Sequence, residues 1–313
     1  MNKLGIVFAG QGSQYVGMGL DFIEQNQDLE IKLNQASVLL GYDVKAVLST
    51  DDGKLNQTRY TQPMMFLSTL FAFETLKTLN PHISGLAGFS LGEYSAFYAA
   101  ELFSFEQMIK LVDYRAKVMD EVSSKTDGKM AAILGLSSRD VEELCKQVSK
   151  GICVAANYNS PVQTVISGNH DAINEAIELA KAKGAKRAIL LNVSGAFHSP
   201  LMKEAGTKLY QYLKNETNSN PCYPIYMNTT AKPLIITHLF EEMEKQIYSP
   251  VLFEQSIHEM VNDGFTHFIE VGPGSVLSGL IKKIDSNLEV ANLSKLSDID
   301  NLKGWLISHG FIK

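Results

Sequence analysis

Cysteine is scarce in this sequence, and the three present (Cys145, Cys153 and Cys222) form no CxxC pair and no Cys/His cluster. An odd number of scattered thiols gives neither a disulfide framework nor a zinc site, so no metal is expected. Positive charge is not in excess either. Lys and Arg total 28 against 34 Asp and Glu, a formal net charge of −6. That balance gives no support to nucleic-acid binding through a basic face. Long apolar runs are missing, and no stretch approaches the length that crosses a membrane. The N-terminal run from Leu4 to Gly10 stops at Gln11-Gly12-Ser13-Gln14 without a cleavage site, so it reads as a buried strand and not as a signal peptide. The expected setting is the cytoplasm. There is no internal repeat and no low-complexity segment.

What is present is an ordinary globular balance, 45% hydrophobic and 20% charged residues over a 313-residue chain. That length suffices for one large domain or two smaller ones. Leu4 to Ala9 is continuously apolar, as a strand covered on both faces requires. Residues 21 to 48 read as amphipathic helices broken near Gly41. Thr61-Gln62-Pro63 precedes an apolar helix from Met64 to Leu79, which Pro81 closes. Ser104 with Gln107 is a capping box. The pattern then changes to a strand (Met130 to Leu136), helix (Ser138 to Val148), strand (Ile152 to Ala156), strand (Gln163 to Ser167), helix (Asp171 to Lys183) and strand (Ala188 to Val193). That is the β-α-β-β-α-β order of the split ferredoxin-like unit. A strand over Pro224 to Asn228, a helix end or loop over Gln246 to Val251, and a strand over His267 to Val271 before a capped helix from Ser275 to Ile284 follow. The predicted fold is α/β: a large α/β-hydrolase-like domain with a parallel sheet (1–125 and 196–313) and an inserted small ferredoxin-like domain (126–195).

The chemistry centres on Leu86-Ala87-Gly88-Phe89-Ser90-Leu91-Gly92-Glu93. An apolar lead-in, a serine at G-x-S-x-G spacing and a helix-compatible run describe a sharp strand-to-helix turn that lifts the hydroxyl clear of the sheet. The competing reading is an ordinary Gly/Ser turn, since so short a pattern recurs by chance. Arg115 sits on the apolar stripe of its helix, with Met108, Leu111, Val112, Val118, Met119 and Val122. A buried guanidinium needs an anion, either an internal carboxylate or a substrate, unless it snorkels out. His198 follows an apolar strand at a domain junction, beside a helix expected to be capped by Ser199 with Pro200 first. The positive end of that helix would keep the imidazole neutral, although a loop histidine is the commoner case. Ser90 as nucleophile, His198 as base and N–H donors after Gln11 or Ser90 would compose an acyl-transfer site. No aspartate stands out as a third member. The glycines after Leu4 to Ala9 do not have dinucleotide spacing.

Gly10-Gln11-Gly12-Ser13-Gln14, Thr61-Gln62-Pro63, Gly88 to Glu93, the helix bearing Arg115, Asn159-Ser160-Pro161-Val162-Gln163, Gly195-Ala196-Phe197-His198-Ser199 and Glu270-Val271-Gly272-Pro273-Gly274 occur in that order. Together they resemble the malonyl-CoA:acyl-carrier-protein transacylase family, fatty-acid enzymes and polyketide acyltransferases alike, from residue 4 to about 284. The resemblance implies a malonyl ester on Ser90, His198 as base, and an oxyanion hole from the backbone N–H groups of Gln11 and Leu91. It implies Arg115 on the malonyl carboxylate, and the Gln246 carbonyl orienting His198 where a triad carboxylate is missing. Gln62, Asn159 and Gln163 are then pocket residues. Phe197 leaves little room for an α-methyl group, a bias of roughly 1–3 kcal/mol. Phe89 departs from the family, which commonly has histidine there. Since that histidine is not the base, catalysis is expected to survive, and the departure bears on pocket shape. The implied donor is malonyl-CoA, a CoA thioester, with no bound cofactor, and the implied partner is an acyl carrier protein. A carrier-directed hydrolase, a transferase for another acyl-CoA and a silent docking module are the alternatives. Arg115 argues against the first for neutral acyl groups, and intact Ser90, His198 and Arg115 argue against the last. Lys181, Lys183, Lys186 and Arg187 are either a carrier-docking patch or, more simply, a solvated face.

Overall fold

The computed structural model describes residues 2–24 and 26–312. Among these, nine strands occur: β1 (Lys3–Phe8), β2 (Gly85–Gly88), β3 (Gly128–Leu134), β4 (Cys153–Ser160), β5 (Gln163–Asn169), β6 (Arg187–Leu190), β7 (Ile225–Tyr226), β8 (Phe265–Val271) and β9 (Glu289–Leu293). The first sheet has the order β7-β2-β1-β8-β9, and every pairing in it is parallel. Its central strand β1 is buried from Leu4 to Phe8, as the apolar run requires. The helix Thr58–Lys77 is covered along nearly its whole length, so its apolar residues go all the way round. Strands β1, β2, β7 and β8 deliver Gln11, Ser90, Asn228 and Gly272 from their carboxyl ends, the edge of a parallel sheet where ligands bind.

The second sheet is antiparallel, in the order β4-β5-β3-β6. Alternation along its strands assigns its two faces. Ala131, Ile133 and Ile166 pack with Val141, Leu144 and Ile173 of the helices Ser138–Gln147 and His170–Ala182. The intervening Met130, Ala132 and Val165 turn the other way and line a cavity against the first sheet. The second sheet is tied to the segment before the helix Phe253–Asn262, where Tyr158 N donates to the Val251 carbonyl and Val251 N to that of Ala156.

Several boundaries differ from those expected. The apolar helix begins at Thr58 and carries Pro63 inside it, with Thr61 Oγ1 donating to the Leu55 and Gln57 carbonyls in the opening turns. Strand β4 runs on past the expected end at Ala156 to Ser160, through a register irregularity near Asn157, which puts Asn157 and Asn159 on the strand. The segment after His198 opens as a short 3-10 turn, Pro200–Met202, before the helix Lys203–Leu213. Ser199 is no cap: its hydroxyl donates to the Ala196 carbonyl at 2.7 Å. Nor does Ser275 cap the helix Val276–Ile284. The buried Glu270 carboxylate accepts from Leu277 N at 3.0 Å and Ser278 N at 2.7 Å instead. Asp and Glu are favoured at a helix N-terminus for this reason. The break at Gly41 and the Ser104–Gln107 capping box lie where expected.

Candidate active site

The serine turn is as tight as its spacing predicts. A Cβ on Gly88 would lie 2.1 Å from Glu93 N, and one on Gly92 would lie 2.1 Å from the Phe8 carbonyl oxygen. Ser90 itself adopts φ +52°, a conformation that costs a non-glycine residue of order 1–3 kcal/mol and persists only when its surroundings hold it. Its Oγ lies 2.7 Å from His198 Nε2. His198 Nδ1 lies 2.9 Å from the Gln246 carbonyl and 3.1 Å from that of Ser249. Two carbonyls can only accept, so Nδ1 carries the proton and Nε2 is free to take one from Ser90. The imidazole is 3% exposed and its pKa falls to about 4, first through burial and second through the charge of Arg115. The helix end proposed as the cause of neutrality is thus replaced by these two. Backbone N–H groups of Gln11 and Leu91 donate to no protein acceptor among the described residues, and both residues line the cavity with Ser90.

Arg115 is 1% exposed. Its NH1 donates to Gln62 Oε1 at 2.6 Å and its NH2 to Gln246 Oε1 at 3.1 Å, while the guanidinium lies 4.9 Å from the Tyr94 ring centre. Nε has no acceptor. No carboxylate pairs with it among the described residues, and burial lowers its pKa. The nearby Glu93 carboxyl is fully buried, which raises its pKa to about 8 and leaves it mostly protonated at neutral pH. The cavity of about 280 Å³ therefore holds one buried positive charge beside a neutral Ser-His pair. Such a charge is expensive to bury without an anion.

A family model described as "Acyl transferase domain" matches residues 6–297. The chain belongs to this acyl transferase family. It is 39% identical over 309 residues to the malonyl CoA-acyl carrier protein transacylase of Staphylococcus aureus, covering 97% of this chain and 99% of that one. The crystal structure of MCAT from Streptococcus pneumoniae superposes with a TM-score of 0.92 at 38% identity, covering 97% of this chain and 100% of the other. A type II PKS acyl-carrier protein in complex with its malonyl-transacylase gives 0.93 at 33% identity, over 97% and 99%.

Within this acyl transferase, the remaining expected residues also gather. Asn159, Gln163 and Phe197 line the cavity with Phe89, Arg115 and Gln62. Phe89 meets Phe253 edge-on, ring centres 5.5 Å apart, so it serves as packing as well as a wall. Sequence reasoning did not find Asn228. Its Oδ1 accepts from Ser90 N at 2.9 Å, and its Nδ2 donates to the Gly88 carbonyl at 2.6 Å. Nor did it find the Gln246 side chain, whose Nε2 donates to the Ser90 carbonyl at 2.7 Å. A polar residue just past a strand into the site was the available signal for Asn228. Lys181 and Lys183 pair with Glu178 and Asp140, which fits the solvated face.

Proposed function

We propose that this chain transfers a malonyl group from malonyl-CoA to the phosphopantetheine thiol of an acyl carrier protein, by a ping-pong route through an ester on Ser90. The observation that carries this reading is the buried, unpaired Arg115 in the same cavity as the Ser90–His198 pair. Acyl transfer alone needs no internal cation. A substrate with a free carboxylate does, and a bidentate carboxylate answers a guanidinium better than two amide oxygens.

In the first half-reaction Ser90 Oγ attacks the thioester carbonyl as its proton passes to His198 Nε2. The N–H groups of Gln11 and Leu91 hold the oxygen that becomes negative. His198 returns the proton to the departing CoA sulfur. In the second, the carrier thiol gives its proton to His198, attacks the Ser90 ester, and Ser90 leaves with that proton. The malonyl carboxylate also neutralises Arg115, one of the two causes that depress the His198 pKa. Binding of the right substrate thus strengthens the base. Gln246 orients His198 through its carbonyl, Gln62 steadies Arg115, and Asn159, Gln163 and Phe197 shape the acyl pocket. The donor is a CoA thioester, and the chemistry uses only side chains and amides of this chain.

We divide the chain into a hydrolase-like catalytic part, 1–125 and 196–313, and a small ferredoxin-like part, 126–195. The parallel sheet with its serine turn supports the first, and the β-α-β-β-α-β order with strand order β4-β5-β3-β6 supports the second. The name of the Staphylococcus aureus relative and the carrier complex of another relative favour the carrier acceptor over water. We place the enzyme in the cytoplasm, where its free thiols would stay reduced. The test is formation of malonyl-carrier from malonyl-CoA and holo carrier protein. The wild-type chain should catalyse it and Ser90→Ala should not, whereas release of free malonate at the same rate with or without carrier would overturn the reading in favour of a hydrolase.

A further inference from the structure

The strained serine turn is held from outside by a residue with no place in the proton transfers. Asn228 follows the short strand β7 and is 2% exposed. Its side-chain amide bridges the two peptide groups that flank Phe89, accepting from Ser90 N and donating to the Gly88 carbonyl. Only one orientation of that amide works, because a flipped one would set donor against donor and acceptor against acceptor. Asn228 is itself fixed at both main-chain groups. Its N–H donates to Glu93 Oε1 at 2.6 Å, and its carbonyl accepts from Leu252 N at 2.9 Å. Glu93 lies one turn beyond Ser90, on the helix Gly92–Ala99 that the serine turn opens. The loop of bonds is therefore closed: Ser90 to Asn228, Asn228 to Glu93, and Glu93 back along the chain to Ser90.

We propose that Asn228 and Glu93 are positioning residues that hold Ser90 in its left-handed conformation, aim its Oγ at His198 and keep Leu91 N–H directed into the cavity. Asn228 also occupies the Ser90 N–H, so that this amide does not compete for the oxyanion. Glu93 acts through its acceptor oxygen and not through charge, so glutamine in its place keeps the function. The inference deepens the reading of the site given above and rests on Ser90 being its nucleophile.

The test is single-turnover reaction of Ser90, followed by intact mass, with two reagents: a fluorophosphonate, which needs the aimed serine, its base and the oxyanion donors but no carboxylate clamp, and malonyl-CoA. A first-order rate constant is insensitive to the fraction of folded enzyme, which appears in the amplitude. Misplacing a reacting atom by about 1 Å costs on the order of 100-fold in rate. Asn228→Ala should slow both reactions by roughly 10- to 100-fold at full amplitude. Glu93→Gln should react at the wild-type rate, and Glu93→Leu should be slow. If Glu93→Leu does not fold, Asn228→Leu decides, since it keeps roughly the size but can neither accept from Ser90 N nor donate to Gly88, and it should also be slow. Wild-type rate constants in Asn228→Ala or Asn228→Leu, or a loss confined to amplitude, would overturn the proposal. If wild type takes the fluorophosphonate but not malonyl, the malonyl reading fails, while a slow Asn228→Ala still supports positioning.

Discussion

Replacing Arg115 by methionine separates the carboxylate clamp from the rest of the site. The linear methionine side chain fills most of the space while removing the charge, and Met119 and Met130 already line the same cavity. Arg115 is fully enclosed, and its two hydrogen bonds go to neutral amides. A malonyl carboxylate placed against the methionine would lose a buried, charge-assisted pair and keep its desolvation cost, a penalty of about 2–5 kcal/mol. That corresponds to a fall of roughly 30- to 4000-fold in kcat/KM for malonyl-CoA. Acetyl-CoA has no carboxylate to lose. Its loading should hold or rise, because a bare cation no longer sits in the pocket. Stability should not fall by more than a cavity-sized amount, and removing an uncompensated buried charge offsets part of that. The His198 pKa should move up from about 4, since the Arg115 charge is one of its two depressing causes, so the acid limb of the rate profile shifts to higher pH. The assay is loading kinetics with each thioester across pH. An equal fall for malonyl and acetyl, or an unmoved acid limb, would refute the clamp.

Other consequences follow from the same geometry. His198 titrates near 6.5 when unfolded and about 4 when folded, so between those values the unfolded chain binds a proton that the native state does not. Its contribution is present above pH 6.5 and is lost as pH falls toward 4, at most roughly 3 kcal/mol. Denaturant melts at pH 7 and pH 4.5 should show that loss, and His198→Gln should show less of it. Gly88→Ala should destabilise the chain by at least about 3 kcal/mol, because the new Cβ meets backbone at 2.1 Å and neither helix nor strand can yield cheaply; a melt within a degree of wild type contradicts this. Phe89→His should leave the rate of Ser90 acylation unchanged while altering the order of preference among acyl-CoA donors. A large drop in acylation itself would show that Phe89 does more than shape and pack.

Much of the site was legible because its constraints are local. The turn around Ser90 needs glycine where the backbone nearly touches itself, and that requirement is written at fixed spacing. Arg115 betrays itself as the one charge on an apolar helix stripe. The small antiparallel sheet shows in the change of hydrophobic period from helix to strand. What escaped is non-local. Asn228 meets Ser90 across 138 residues of chain, after a strand of only two residues. The Glu270 cap replaces an adjacent serine because a buried carboxylate from the end of β8 reaches the amides first. Pro63 sits inside its helix and not before it, since Thr58, Thr61 and Gln62 ahead of it are buried and tertiary contacts outweigh the proline penalty. His198 is neutral for a reason no local signal carries: enclosure, and a cation contributed by another helix.

The most direct measurement of the central claim is the fate of isolated malonyl-enzyme. After brief exposure to malonyl-CoA and removal of free CoA, intact mass should show a single malonyl adduct that maps to Ser90, persists in buffer and moves to holo carrier protein when it is added. No adduct, an adduct elsewhere, or one that decays as fast in buffer alone as with the carrier would contradict the account.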